Sequence, residues 1–141
     1  MSDQPAQPPI VEFAFPGPLR DRLVAAILDG TKTATTSTLV EYSIEDEPLP
    51  VVGSRQTVVD SDDAAVAVIE TTSVEVVAVA SVDLQHALDE GEGYASVAEW
   101  RAGHERFWQG EAMRAWLGDE HFTVDDGTMV VLERFRLIET L

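Results

Sequence analysis

Residues 64–80, AAVAVIETTSVEVVAVA, decide the fold. Val and Ile recur there at near-alternating positions, the period of a strand with one buried face. The stretch is far longer than the usual strand of about five or six residues, so a bend or hairpin is expected near Glu70-Thr71-Thr72. Extended to Val82 it is also the most apolar window of the chain, yet Glu70, Glu75 and a Thr-Thr-Ser group interrupt it, which a lipid-facing helix tolerates poorly.

Upstream, Asp60-Ser-Asp-Asp63 reads as a turn and Ser54 to Asp60 as a strand, preceded by a Pro-containing acidic loop over Glu45 to Gly53. Thr33 to Val40 is rich in residues with strand propensity and reads as another strand. Before it, Leu19, Leu23 and Ile27 line one face of a helix that Pro18 opens and Gly30 stops. Downstream, Ser81 to Glu90 reads as a short helix and Gly91-Glu-Gly93 as a loop. Ser96-Val-Ala-Glu99 has capping-box spacing for a helix to about Trp108. Gly110 and Gly118 bracket one more helix, and Thr128 to Ile138 alternates as a final strand. Five or six strands, with helices at the start and in one insertion, predict an α+β fold with a strongly curved sheet or small barrel. Strands and helices do not alternate as a doubly wound sheet requires. Met1 to Pro9 is polar and Pro/Gln-rich, which predicts a disordered tail ahead of one domain over residues 10–141.

The chain has 141 residues, with 26 acidic against 9 basic, a net charge of −17. A field of that sign excludes a broad basic nucleic-acid footprint and a basic membrane-surface protein. With no cysteine there is no disulfide, zinc-thiolate site or thiol nucleophile. No export signal or membrane segment is recognisable, so the expected location is cytoplasmic.

The acid excess is uneven. Between Gly30 and Val40 there is no acidic residue, and that window holds five threonines, one serine and Lys32, the chain's single lysine. The plain reading is a Thr-rich strand with a solvated lysine. The chemical reading is that a desolvated lysine, unlike arginine, can lose its proton and act as a base. The window lacks the upstream glycine of a phosphate loop. Glu90-Gly-Glu-Gly93 is a solvated turn or, with glycines on both sides of Glu92, a loop able to swing a carboxylate into a cleft. His86, His104 and His121 show no local ligand spacing, and Asp60, Asp62 and Asp63 lack the remainder of a calcium loop, so no metal or other cofactor is expected. Arg55 and Arg101, the latter beside Trp100, could contact a nucleoside or form ordinary surface ion pairs.

Taken in order, a glycine with Lys-Thr-x-Thr, a Pro-x-x-Gly loop and strand to Asp60, Ile69-Glu-Thr-Thr72, Glu-Gly-Glu-Gly93, Trp100-Arg-x-x-His104 and a closing Val131-x-Glu-x-Phe135 resemble the bacterial ASCH-domain proteins. The resemblance spans about residues 13–139. It implies a PUA-like β-barrel, and it implies action on RNA or a modified nucleoside: RNA binding, RNA cleavage, or hydrolysis of the acetyl amide of N4-acetylcytidine. For the amidohydrolase it implies Lys32, Thr35 and Glu92 as catalytic residues, with Glu90 competing for the last place. Lys32 would take the Thr35 proton, Thr35 would attack the carbonyl, and Glu92 would serve the leaving nitrogen. Arg55, Ser96, Arg101 and His104 are the expected substrate contacts. The competing expectation is an RNA-binding module or ribonuclease in which Lys32, Arg55 and Arg101 contact phosphate or base. The loop and helix after residue 90 are longer than in the small amidohydrolases, and Tyr94 stands where close relatives usually carry an acid. The expected partner is a small nucleoside or a short single strand of RNA.

Overall fold

The computed structural model describes residues 7–141. Its elements in chain order are β1 (Ile10–Val11), α1 (Pro18–Asp29), β2 (Ala34–Thr38), α2 (Leu39–Glu45), β3 (Arg55–Val59), β4 (Ala65–Ala78), α3 (Leu84–Asp89), α4 (Val97–Trp108), α5 (Glu111–Leu117) and β5 (Met129–Thr140). Residues 1–6 of the expected tail lie outside the described residues. Pro8 and Pro9 are held against β3, where their carbonyls accept from the Thr57 hydroxyl and N–H at 2.7 and 2.8 Å.

The long apolar stretch is one strand, not a hairpin. The expected bend is taken up inside β4 by register shifts between Val68 and Ile69 and between Thr71 and Ser73, so a single strand pairs with β5 from Ala67 to Ala78. The five strands lie in the order β1-β3-β4-β5-β2. They form an α+β sheet with β1 and β2 as its two edges. Among the described residues these edges do not pair, so the small barrel expected from sequence is an open sheet here.

One face of the sheet packs Phe13, Val58, Ile69 and Phe135 under Leu23, Val24 and Ile27 of α1. A second core gathers Trp100 and Trp108 of α4, Met113 of α5 and Val79, Val82 and Val130. Helix α1 begins with Pro18 and ends at Gly30 in the left-handed region at φ 87°, as the sequence indicates. Its Arg20 is 1 % exposed, with Nε and a terminal nitrogen donating to the carbonyls of Phe13 and Ala14 at 3.1 and 2.8 Å.

Two local departures have clear causes. The strand expected to reach Val40 stops at Thr38, because the Glu41 carboxylate accepts from the Thr38 N–H and hydroxyl at 2.7 and 2.8 Å and starts α2. The Ser96 hydroxyl caps α4 by accepting from Glu99 N–H at 3.1 Å, but Glu99 reaches back to Ala95 N–H at 2.8 Å, one residue beyond a reciprocal box.

Candidate functional site

Two loops distant in sequence meet at the start of β2. Thr33 N–H donates to Asp89 O at 2.8 Å, and Lys32 N–H to Ala26 O at 3.0 Å. Gly91 makes this docking possible: its φ is +69°, and a Cβ there would lie 2.6 Å from the Thr31 carbonyl oxygen. The docked loops bury Lys32 and Glu90 together, and α4 closes over them with Trp100 and His104.

Glu90, 1 % exposed, is the hub. Oε2 accepts from the Trp100 indole N–H and from Thr36 Oγ1, the latter at 3.2 Å; Oε1 accepts from His104 Nε2 at 3.2 Å. Lys32 Nζ lies 3.8 Å from Oε1 and donates to the carbonyls of Ala34 and Glu90 at 2.8 and 3.2 Å. Burial opposes the charge on Glu90, but the His104 hydrogen bond, the charges of His104 and Lys32 and the Trp100 N–H bring its pKa down to about 2. Burial holds Lys32 below the ordinary lysine range, against the pull of Glu90 and Glu92.

Counting donors assigns the two histidines opposite states. His104 Nδ1 faces Trp100 O at 2.8 Å and Nε2 faces Glu90, and since neither partner can donate, both nitrogens carry hydrogen and His104 is an imidazolium. Burial acts against this, but the Glu90 hydrogen bond and the charges of Glu90 and Glu92 raise its pKa. Thr36 has one hydrogen and gives it to Glu90, so His86 Nε2–H donates to Thr36 Oγ1 at 2.8 Å. His86 is neutral, its pKa lowered first by burial. A polar cleft of about 150 Å³, lined by Ser73, Ser81, Asp83 and Arg134 among others, lies on its outer side.

Toward solvent, Glu92 Oε2 lies 3.8 Å from His104 Nε2, and burial raises the Glu92 pKa above the ordinary carboxylate range. The Tyr94 ring stands 5.9 Å from the His104 ring and forms a wall beside it. Glu90, Glu92 and His104 could offer ligand atoms within 4.8 Å of one another. A metal ion there would compete with the Lys32 ammonium for Glu90 and require His104 to lose the proton it shares with that carboxylate. The donor set fits a hydrogen-bonded ion cluster better than a metal centre.

Lys32, Glu92 and His104 therefore come together, and Thr35 does not join them. Strand alternation turns Thr36 toward Glu90 and Thr35 to the other face of the sheet, where it sits directly opposite Glu133 of β5. Ser96 serves as the α4 cap. Arg55 pairs with Glu70 at 3.3 Å, and Arg101 with Glu105 and Asp126. Sequence reasoning missed Thr36 and His86 and gave Glu90 second place. The available signal was the i, i+4 pair Trp100 and His104 on one face of a capped helix, aimed at the acidic loop.

This architecture, an open mixed sheet with a buried lysine–glutamate centre roofed by a Trp/His helix, defines a small α+β domain built around a charged cleft. The ASCH-domain family profile matches residues 12–139, and the chain belongs to that family. A solved structure from Enterococcus faecalis V583 is similar at 25 % identity with a TM-score of 0.82, over 97 % of this chain and 80 % of that one. An ASCH domain from Lactobacillus crispatus JV V101 is similar at 29 % identity and TM-score 0.78, over 93 % and 79 %. An ASCH protein from Zymomonas mobilis, at 11 % identity and TM-score 0.51 over 86 % and 67 %, shares the fold. No functionally curated relative matches the sequence. Among the described residues no helix is long and apolar enough to cross a membrane.

Proposed function

We propose that this ASCH domain acts on a modified nucleoside or a short RNA bearing one, by hydrolysing an acyl amide such as that of N4-acetylcytidine. The observation that carries the reading is the Glu92–His104 pair at the mouth of the Lys32–Glu90 cluster. It sets a carboxylate of raised pKa beside a fixed imidazolium, the pair of groups that amide hydrolysis needs. Glu92 takes a proton from water, and the resulting hydroxide adds to the acetyl carbonyl. The His104 imidazolium, its Nε2–H held by Glu90, stabilises the oxyanion through its charge. The C–N4 bond then breaks as Glu92 returns the proton to N4, releasing acetate and cytidine. Lys32 keeps Glu90 ionised, and Glu90 in turn keeps His104 charged and oriented. Tyr94 supplies an aromatic wall for a base.

Binding of long RNA has less support, because Arg55 and Arg101, the arginines expected to contact it, are already paired with carboxylates. Incubation with N4-acetylcytidine, with cytidine release followed by chromatography, tests the reading. Glu92→Gln and His104→Gln should each lower kcat by about 10²-fold or more. Turnover unchanged in both variants would remove the basis of the mechanism. Salt-dependent RNA binding without turnover would favour an RNA-binding module.

A further inference from the structure

The polar cleft on the outer side of His86 takes part in none of the steps above. It encloses about 150 Å³ between β4, β5 and the turn into α3, with His86 and Arg134 facing Ser73, Glu75, Ser81 and Asp83. That is well below the roughly 300 Å³ at which sites for drug-sized molecules begin, so a ligand there has only a few heavy atoms. His86 is a buried wall of the cleft, 2 % exposed. Its Nε2–H is given to Thr36, which leaves Nδ1 with a bare lone pair. No described residue donates to Nδ1. Among those residues Gln56 Oε1 is the one unpartnered side-chain polar atom sealed from solvent, so the Nδ1 lone pair opens to the cleft. Burial, the largest influence on His86, lowers its pKa and keeps this nitrogen free of a proton near neutrality.

The charges around the cleft do not balance. Arg134, its guanidinium, is matched by Asp89. Glu75 is exposed and has no cationic partner among the described residues. Asp83 has none either: its Oδ1 accepts from the His86 N–H at 2.9 Å, and Oδ2 is left over. A bare divalent ion does not suit this set, because the ligand atoms of Glu75, Asp83 and His86 do not gather within 4.8 Å of one another as those of Glu90, Glu92 and His104 do. An anion would meet two unmatched carboxylates and an unprotonated nitrogen. We propose that the cleft binds a small protonated amine, whose N–H groups donate to His86 Nδ1 at the wall and to Asp83 and Glu75 at the rim, with the Ser73 and Ser81 hydroxyls as further acceptors. Hydrogen bonds from a cation to carboxylates are about twice as strong as neutral ones, which suits a ligand with few atoms to contribute. A donor on Nδ1 also fixes the tautomer in which His86 donates to Thr36 and Thr36 to Glu90, at 2.8 and 3.2 Å. The bound amine thereby reaches the Lys32–Glu90 cluster through hydrogen bonds already in place.

This site is separate from the one assigned to Glu92 and His104, and its test does not use turnover. Methylammonium is titrated into the full chain while nitrogen NMR follows the histidine side chains. Tetramethylammonium, which has the charge without the N–H groups, is the control. The expected result is a saturable shift of His86 Nδ1 with methylammonium and none with tetramethylammonium, while Nε2 keeps its proton throughout. Glu75→Gln should raise the Kd about 3-fold or more, and Glu75→Gln with Asp83→Asn, whose amide oxygen can still cap α3, about 10-fold. A thermal melt confirms that both variants fold. An equal response to tetramethylammonium, an unchanged Kd in the double variant, or no saturation by about 10 mM methylammonium overturns the proposal. So does an Nδ1 that already carries a proton in the free protein at neutral pH.

Discussion

Glu90 and Glu133 are both glutamates in near-complete burial, 1 % and 5 % exposed, one on each face of the same sheet. Their pKa values lie on opposite sides of the ordinary range, at about 2 and about 7. Depth does not distinguish them, but hydrogen-bond donors do. Glu90 receives hydrogen bonds from Trp100, Thr36 and His104 and has Lys32 within 4 Å, whereas Glu133 receives one long hydrogen bond from Thr71 and meets no cation. A buried carboxyl group takes the charge that its neighbours can stabilise. The two faces of one five-residue strand, β2, thus present Thr36 to an acid that stays ionised and Thr35 to one whose charge burial disfavours.

The most disruptive test of this contrast is Glu90→Leu. It leaves Lys32 and the His104 imidazolium buried without their counter-ion, and urea unfolding should show a loss of about 3–5 kcal/mol. A much smaller loss would mean that the cluster reorganises around another acid, with Glu92 the nearest.

Next in size is the pH dependence. For Glu133 the folded pKa, about 7, exceeds the reference value of 4.5. Its contribution to stability is therefore complete below pH 4.5 and lost as pH rises through 7, a fall of roughly 3 kcal/mol. Glu90 has the opposite sign: its contribution is present above pH 4.5 and lost as pH falls through about 2. Melting curves from pH 4 to 9 should decline on the alkaline side for the wild type and flatten there in Glu133→Gln. If that variant keeps the wild-type slope, the Glu133 pKa is not raised by burial.

Gly91→Ala comes third. The added Cβ meets the Thr31 backbone in a left-handed conformation, so the loop must undock from Lys32, at a cost of about 1–3 kcal/mol. Faster hydrogen exchange at the Thr33 and Lys32 amides would report the undocking. The smallest effect belongs to Arg55→Ala and Arg101→Ala. Both side chains are partly exposed and paired, and unfolding should change by less than about 1 kcal/mol, with nucleoside turnover near wild type.

Much of this contrast can be read from residue order. Val131-x-Glu133-x-Phe135 places a carboxyl group on an inward face by period-two alternation alone, and Trp100 with His104 places an aromatic pair on one helical face. The Gly30 stop, the α4 cap and the extent of the long strand follow equally from local rules. What local rules do not contain is which loop meets which. The pairing of Thr33 with Asp89 joins segments 56 residues apart, and that pairing alone puts Glu90, instead of Glu92, in the deepest position. The choice between Thr35 and Thr36 depends on strand phase, which the weakly alternating Thr-rich run does not declare. Closure of the sheet depends on whether its short edges β1 and β2 approach each other, a property of global curvature that no motif encodes.

Arg20 has a practical consequence for handling the protein. Its buried guanidinium holds the carbonyls of Phe13 and Ala14 from the inside, so the chain is clamped ahead of α1 independently of the two-residue pairing of β1. A deletion that removes β1 therefore leaves the chain ahead of α1 anchored at Phe13 and Ala14.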